Sequence, residues 1–225
     1  MLNAAELTGV ARSHIVELAQ PKCALHSECV SAFLAMREAA LGEGIDVQCR
    51  SSFRSFDTQL SIWNAKWRGE RTLLARDGRV LQHDQLSPDE LLNAILIWSA
   101  LPGGSRHHWG SDLDLIDAHA IPEGYQVQLV PEEYGSQGIF ARMDHWLSQH
   151  ASEFGFFRPY RTDRGGVSPE PWHFSYAPVS IAALEALTPE LLRQTLQDSA
   201  IEGKSLVLNR LDEIYQRYLV AVDTP

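Results

Sequence analysis

The chain has 225 residues, of which 44% are hydrophobic and 21% are charged, and its formal net charge is −10. These values are typical of a soluble globular protein built as one large domain, or as one domain with an appendage. The acidic balance, the lack of any basic block and the lack of an apolar run of about 20 residues argue against nucleic-acid binding, anionic-membrane binding and a transmembrane span.

The cysteines and the N-terminus bear on the compartment. Cys23, Cys29 and Cys49 are odd in number and form no Cys-x-x-Cys pair, so we expect no disulfide framework and favour a reducing compartment. The first residues contain neither a basic segment nor an apolar run of signal-peptide length. We therefore expect a cytoplasmic protein, or a periplasmic one if a leader precedes this sequence. The oligomeric state stays open.

Helical and strand patterns alternate in the first part of the chain. The spacing of apolar residues predicts helices over residues 5–19 and 27–41. Residues 45–49 alternate between apolar and polar, as a half-buried strand does. A further helix follows, for which Asp57 is the predicted cap.

The middle of the chain carries two strong local signals. Residues 77–78, Asp-Gly, predict a hairpin turn within an irregular stretch. Ser87 and Glu90 form a capping box, with Pro88 at the first helical position. The nearly all-apolar residues 91–101 then predict a buried helix, which a Pro-Gly-Gly loop ends.

A short strand is predicted over residues 112–116 because the sequence alternates Asp and Leu. Leu113 and Leu115 would face the core, and Asp112 and Asp114 would then share the opposite face.

The last part of the chain is mainly helical. The pattern predicts a loop over residues 117–138, a helix over 139–154, a loop over 158–169 and a strand over 172–176. Everything after residue 180 reads as helix, and this is the only natural point at which to divide the chain.

Two short segments concentrate the side chains that can bind a metal. Residues 105–114 read Ser-Arg-His-His-Trp-Gly-Ser-Asp-Leu-Asp, and residues 170–173 read Glu-Pro-Trp-His. A catalytic zinc site needs three ligands from His, Asp, Glu or Cys, an open position for water and a nearby base. His107 and Asp114 could meet at one point, and a bend at Pro171 would bring Glu170 and His173 to it.

The same residues also permit other roles. A His-His pair is more often packed or exposed than a ligand pair. An Asp-x-Asp strand can serve as a cap, or Asp112 and Asp114 can hold magnesium for phosphate chemistry. Asp112 could instead orient a metal ligand.

Three motifs in order resemble the VanY-type D-alanyl-D-alanine carboxypeptidases. These belong to the zinc peptidases named after lysostaphin, D-Ala-D-Ala metallopeptidases and sonic hedgehog. The motifs are residues 52–59 (Ser-Phe-Arg-Ser-Phe-Asp-Thr-Gln), 105–114 and 170–173, and the resemblance covers roughly residues 27–178. It implies one zinc ion per chain with three ligands, a general base, an oxyanion-stabilising cation and two groups that hold the substrate's terminal carboxylate. The resemblance makes His107, Asp114 and His173 the zinc ligands and Glu170 the general base. Arg54 would stabilise the oxyanion, and Gln59 and Ser105 would hold the terminal carboxylate.

The resemblance also implies an architecture and an activity. We expect an α+β fold with a small, mainly antiparallel sheet that carries the zinc site and is surrounded by helices. Residues 1–180 would form the catalytic domain, and residues 181–225 a helical extension packed on it. The expected function is zinc-dependent removal of a C-terminal D-alanine from peptidoglycan stem peptides or precursors, with D,D or L,D specificity open. Residues 66–103 would be an insertion that shapes the cleft.

Three alternatives stand beside that function. The same scaffold could act as a peptidoglycan endopeptidase, against which the pair Gln59 and Ser105 weighs. It could be a non-catalytic zinc-containing module that binds cell-wall peptides, which would need neither Glu170 nor Arg54. A magnesium phosphohydrolase would leave His107 and His173 without a role.

Overall fold

The computed structural model describes residues 1–225 and contains both helices and strands. The strands are β1 (Ile15–Ala19), β2 (Lys22–His26), β3 (Val47–Ser51), β4 (Leu73–Leu74), β5 (Val80–Leu81), β6 (Asp112–Asp117), β7 (Phe156–Phe157) and β8 (His173–Tyr176). The helices are α1 (Ala4–Leu7), α2 (Cys29–Gly42), α3 (Phe56–Trp67), α4 (Pro88–Trp98), α5 (Pro131–Tyr134), α6 (Ala141–His150), α7 (Ala177–Ala186), α8 (Pro189–Gln197), α9 (Lys204–Asn209) and α10 (Leu211–Ile214).

A four-stranded antiparallel sheet lies at the centre, in the order β3-β6-β8-β7. The pairs β1-β2 and β4-β5 form two separate hairpins. Within the sheet, Asp114 of β6 lies opposite His173 of β8. The predicted α+β fold, with a small antiparallel sheet among helices, is confirmed.

The protein has two hydrophobic cores. One core joins β3, β6 and β8 to α2 and α6 through buried side chains that include Phe33, Val47, Leu113, Met143 and Phe174. The other joins α3 and α4 to the C-terminal helices, through side chains that include Trp63, Leu92, Ile95, Leu192 and Leu211. Both cores are continuous apolar clusters, so each can contribute hydrophobic stabilisation of its own.

The alternation of the strands places the polar residues together. Leu113 and Phe174 pack into the first core, so Asp112, Asp114 and His173 point to the opposite face. The predicted strand 112–116 and its two faces are therefore confirmed. The candidate site lies on this face of the sheet.

The predicted helix over residues 5–19 is wrong. Helix α1 ends at Leu7, and Gly9 follows it with φ of 73°, in the left-handed region that glycine adopts readily. Residues 15–19 instead pair with residues 22–26 as a hairpin. The periodicity of a single sequence does not reveal this pairing, which satisfies the backbone hydrogen-bonding groups between the two strands.

Other boundaries agree more closely with the sequence. The capping box at Ser87 is present, with helix α4 beginning at Pro88. Gly78 lies in the turn of the β4-β5 hairpin. Ser55, rather than Asp57, caps α3. None of the helices has the length and apolar character that crossing a membrane requires.

Candidate active site

His107, Asp114 and His173 converge at one point of the sheet surface. Each offers one ligand atom, and these atoms all lie within 4.8 Å of one another. Nε2 of His107 is 3.4 Å from Oδ2 of Asp114, and Nδ1 of His173 is 3.2 Å from Oδ1 of Asp114. Tetrahedral ligands about 2.0–2.1 Å from one zinc ion lie about 3.4 Å apart, so the spacing suits such an ion.

The protonation of the two rings tests whether a metal fits. Nδ1 of His107 lies 3.0 Å from the carbonyl oxygen of Ser52 and 3.1 Å from that of Asp112, so this nitrogen carries the proton. In the neutral ring, the other nitrogen then turns a lone pair towards Asp114. Oδ1 of Asp114 is buried and accepts no hydrogen bond. Lone pairs and an unpartnered carboxylate oxygen that face a common centre suit a cation held there.

The buried charges shift the pKa values of these groups strongly. Burial raises the pKa of Asp114, but the rings of His107 and His173 outweigh it and hold the pKa well below its usual range. Burial lowers the pKa of His173, but Asp112, Asp114 and Glu170 outweigh it and raise the pKa well above its usual value. Without a metal, this site therefore attracts a proton to His173; a bound cation would take the place of that proton.

Asp112 fixes the orientation of His173, as the sequence predicts. Its Oδ1 atom accepts a hydrogen bond from Nε2 of His173 at 3.0 Å and another from Nε of Arg106 at 2.8 Å. The proton on Nε2 leaves Nδ1 of His173 free to act as a ligand. A carboxylate in this position also increases the basicity of the ring that it contacts.

A tight turn brings His107 to the site. Ser105 precedes a short 3₁₀ helix, Arg106–Trp109, that ends at Gly110 with φ of 67°. A Cβ atom on Gly110 would lie 2.4 Å from Cδ1 of Ile15 and 2.6 Å from the backbone nitrogen of His26. Only glycine therefore allows the β1-β2 hairpin to pack against this turn.

Glu170 reaches the same centre from the start of β8. Its Oε2 atom is 3.4 Å from Nδ1 of His173. The backbone nitrogen of His173 donates to the carbonyl oxygen of Glu170 at 3.1 Å, which closes a turn around Pro171. This turn is the bend that the sequence required for both side chains to face one metal.

Arg54 lines the same cavity and is held in place by neighbours. Its guanidinium donates to Oε1 of Gln59 at 2.8 Å and to Oγ of Ser51 at 3.0 Å. Its backbone nitrogen donates to the carbonyl oxygen of His107 at 3.1 Å. The cation is therefore fixed relative to the turn that carries His107.

The structure does not bring Gln59 to the surface of the cavity. The residue is fully buried, Oε1 accepts from Arg54, and Nε2 donates to the carbonyl oxygen of Ala100 at 2.7 Å. Both ends of the amide are engaged within the protein, and Gln59 does not line the cavity. The geometry instead favours a role in positioning Arg54, which the motif alone did not indicate.

Ser105 does line the cavity, whose volume is about 390 Å³. Its hydroxyl is buried and has no hydrogen-bond partner within the protein. The cavity wall also contains Arg54, His107, Asp114, Glu170 and His173. A free hydroxyl on this wall is available to a bound peptide.

Several residues at the site carried no signal in the sequence. The ring of Tyr160 packs edge-on against that of His173, with 5.0 Å between centroids. Arg106 joins Asp112 to Ser175, and Lys66 and Arg71 line the cavity. Tyr160, Lys66 and Arg71 lie outside the three motifs, and Arg106 lies inside one of them without an assigned role, so only the folded arrangement identifies these residues.

Comparison with known proteins places this site in a family. The sequence profile of VanY, described as D-alanyl-D-alanine carboxypeptidase, matches residues 22–179. An uncharacterized protein of Haemophilus influenzae is 33% identical over 122 residues, which are 53% of this chain and 93% of that protein. A D-alanyl-D-alanine carboxypeptidase of Enterococcus faecalis is 31% identical over 88 residues, which are 38% of this chain and 27% of that protein.

Solved structures share the fold at low sequence identity. VanYB in complex with D-alanine-D-alanine aligns with a TM-score of 0.53 and 20% identity, over 82% of this chain and 88% of that one. The LD-carboxypeptidase LdcB aligns with a TM-score of 0.51 and 22% identity, over 91% of this chain and 78% of that one. At this identity the likeness establishes the fold. The sequence match covers well over half of the chain, and the chain therefore belongs to the VanY family of D-alanyl-D-alanine carboxypeptidases.

Proposed function

We propose that this protein is a zinc-dependent carboxypeptidase that removes a C-terminal D-amino acid, D-alanine in the first instance, from peptidoglycan stem peptides or their precursors. The observation that carries the proposal is the convergence of three potential ligands and a separate carboxylate. His107, Asp114 and His173 present ligand atoms to one centre, and Glu170 lies beside it without being needed as a ligand. Three ligands and a free base make a hydrolytic site rather than a closed structural one.

The donor set supports zinc over magnesium. Two imidazole nitrogens and one carboxylate oxygen match the ligands that zinc prefers, whereas magnesium favours oxygen ligands. Asp112, which a magnesium site would need, is instead bound to Arg106 and His173. When bound, zinc would lower the pKa of a water molecule towards about 7 and polarise the scissile carbonyl.

The chain's own residues would handle the proton and the developing charge. Glu170 accepts a proton from the attacking water and returns it to the leaving amine as the peptide C–N bond breaks. The guanidinium of Arg54 faces the negative charge that develops on the carbonyl oxygen. Because Gln59 and Ser51 already hold this guanidinium, little reorganisation is needed during the reaction.

Ser105 supports the exopeptidase reading over the endopeptidase one. Its free buried hydroxyl can donate to the terminal carboxylate of a bound peptide. We also propose that residues 1–180 form the catalytic domain and residues 181–225 an extension packed on it. In support of this division, the profile match ends at residue 179.

The test uses the zinc-loaded protein and a synthetic stem pentapeptide that ends in D-Ala-D-Ala. We expect the wild type to release D-alanine, measured by chromatography. Glu170→Ala should keep about one zinc per chain and lose turnover by about 10²- to 10⁴-fold, because the general base is gone.

The control is Glu123→Ala, which removes an exposed carboxylate away from the cavity. It should turn over at the wild-type rate. Release of no D-alanine by the wild type, or equal turnover by Glu170→Ala and the wild type, would contradict the proposal.

A further inference from the structure

Three cationic side chains line the cavity beside the candidate zinc site. Arg54 follows β3, Lys66 lies in the last turn of α3, and Arg71 follows that helix shortly before β4. All three belong to the wall of the 390 Å³ cavity that also contains Glu170 and Ser105. This side of the cleft is therefore positively charged, whereas the ligand side carries carboxylates.

None of these cations has an acidic partner within the protein. Arg54, Lys66 and Arg71 make no salt bridge, whereas other arginines near the cleft do. Arg68, Arg76, Arg106 and Arg158 are paired with Glu70, Asp163, Asp112 and Asp144 at 2.6–3.0 Å. These three unpaired cations lie on the wall of the cavity, where a ligand can reach them.

Repulsion within this cluster favours an anionic ligand. Burial, and then the neighbouring charges of Arg71 and Arg54, lower the pKa of Lys66 to about 8, although Glu170 acts in the opposite direction. An anion that bound between Lys66 and Arg71 would offset both the lost hydration and the like-charge repulsion. Such a pair can also bind a carboxylate by charge-assisted hydrogen bonds.

Buried donors on the same wall point to a polar ligand as well. The hydroxyl of Ser105 and Nη1 of Arg106 are both buried and have no hydrogen-bond partner. Buried polar atoms in folded proteins are nearly always satisfied, so these two await a partner that the chain does not supply. Gln59 does not line this wall, and its amide is hydrogen-bonded to Arg54 and Ala100.

We infer that Lys66 and Arg71 form a carboxylate-binding subsite that holds a carboxylate of the substrate peptide during cleavage. The inference rests on the proposed peptidase function and adds the substrate group that the cleft selects. The carboxylate can be the peptide's C-terminus or the side chain of an acidic residue near the scissile bond. Both have the same chemistry, and matched peptides separate them.

The experiment compares four peptides with the wild type and with the double variant Lys66→Gln/Arg71→Gln. The peptides combine a free or amidated C-terminus with an acidic residue or its carboxamide. Only one of the two carboxylates should occupy the subsite. For that group, we expect the wild type to cleave the peptide with the free acid faster than the peptide with the amide. In the double variant, kcat/KM for the acid should fall by about 10- to 100-fold, mainly through KM, and the preference should disappear.

Two further variants separate recognition from general effects. Lys66→Arg/Arg71→Lys keeps both charges and should keep most of the preference. Arg50→Gln removes an exposed, unpaired cation that does not line the cavity, and it should behave as the wild type. If the double variant keeps the wild-type preference for both carboxylates, or loses activity equally on acid and amide, the inference is wrong.

Failure of the proposed function gives a different result. In that case the wild type would cleave none of the four peptides, and the subsite would be tested by calorimetric titration of the same peptides. The affinity of the double variant for the acid should then be about 10- to 100-fold lower than that of the wild type. Equal affinities would overturn the subsite independently of turnover.

Discussion

Asp112 is fully buried and holds three neighbours with its two carboxylate oxygens. Oδ1 accepts from Arg106 and His173, and Oδ2 accepts from Ser111 at 2.7 Å. Burial raises the pKa of this carboxyl, but Arg106 and His173 outweigh burial and hold the pKa well below its usual range. The charge that orients His173 is therefore present across the physiological pH range.

Replacing this carboxylate should weaken metal binding without removing a ligand. In Asp112→Asn the amide can still accept from His173, but the neutral group no longer increases the basicity of the ring. We expect zinc affinity to fall by about 10- to 100-fold, measured by competition with a chelator. Stability should also fall, by about 3–5 kcal/mol in urea unfolding, because Arg106 loses its buried partner.

Ser111→Ala is the matched control for this change. It removes only the hydroxyl that contacts Oδ2 of Asp112 and leaves the contact with His173 in place. Its zinc affinity should stay within a few-fold of the wild-type value. Equal losses of affinity in the two variants would show that Asp112 does not act through His173.

Single residues of the site differ in how far the sequence identifies them. The contact between Asp112 and His173 is predictable, because strand alternation puts Asp112 on the ligand face and carboxylates commonly orient metal-bound histidines. The position of Gln59 is not predictable from its motif, because the motif does not show that Arg54 and Ala100 engage its amide. Lys66 and Arg71 are ordinary charged residues until the chain folds around the cavity.

At the scale of elements, the C-terminal segment holds the loop that leads to Glu170 in place by hydrogen bonds. Asp223 is buried, and its carboxylate accepts from the backbone nitrogen of Thr162 at 2.7 Å and from Arg164 at 2.7 Å. The backbone nitrogen of Asp223 donates to the carbonyl oxygen of Pro159. Tyr160, next to Pro159, packs on His173, so the loop that Asp223 holds is in direct contact with the site.

We expect Asp223→Ala to loosen this loop. Amide hydrogen exchange of residues 159–166 should become faster, and kcat should fall several-fold while zinc stoichiometry stays the same, because no ligand is touched. The loss of stability should be about 1–3 kcal/mol, which is typical of removing a buried hydrogen-bonding partner.

Asp212→Ala is the comparison, because Asp212 lies in the same C-terminal segment, is 81% exposed and makes only a 3.6 Å pair with Arg193. It should change neither exchange nor kcat. If amide exchange of residues 159–166 is unaltered in Asp223→Ala, Asp223 does not hold this loop in place.

Helices and strands are predicted correctly where local residues determine them, and incorrectly where pairing with distant residues determines them. The capping box at Ser87 specifies the start of α4 on its own, since its hydrogen bonds are local. The β1-β2 hairpin depends on contacts with the turn at Gly110, about 90 residues away in the sequence. No local pattern contains that contact, and residues 5–19 are therefore easily mistaken for one helix.

At the scale of the whole molecule, each of the two hydrophobic cores contacts an element that carries the site, the sheet in one case and the turn with Trp109 in the other. The sheet presents its apolar side to one core, and α3 and α4 join the C-terminal helices in the other. The nitrogen Nε1 of Trp63 donates to the carbonyl oxygen of Glu202, which ties α3 to the C-terminal segment at 3.1 Å. The division of the chain at residue 180 stays a prediction, and these contacts describe how its two parts are joined.

The whole arrangement could be predicted only in part. The three motifs are enough to name the family and to nominate His107, Asp114 and His173. The sequence does not show that Lys66, at the end of α3, and Arg71, just after this helix, line the same cavity. That juxtaposition depends on the packing of α3 and the β4-β5 hairpin on α4, which no motif encodes.

We propose above all that His107, Asp114 and His173 together hold one zinc ion. The most direct measurement is the zinc content of the purified wild type and of the three single alanine variants, by elemental analysis after dialysis against a weak chelator. We predict about one zinc per wild-type chain and well under one in each variant. The loss of a ligand should lower zinc affinity by more than the factor of about 10 to 100 expected for Asp112→Asn. His119→Ala, which removes an exposed histidine outside the site, should retain the zinc. A wild type without zinc, or full zinc in His173→Ala, would contradict the account.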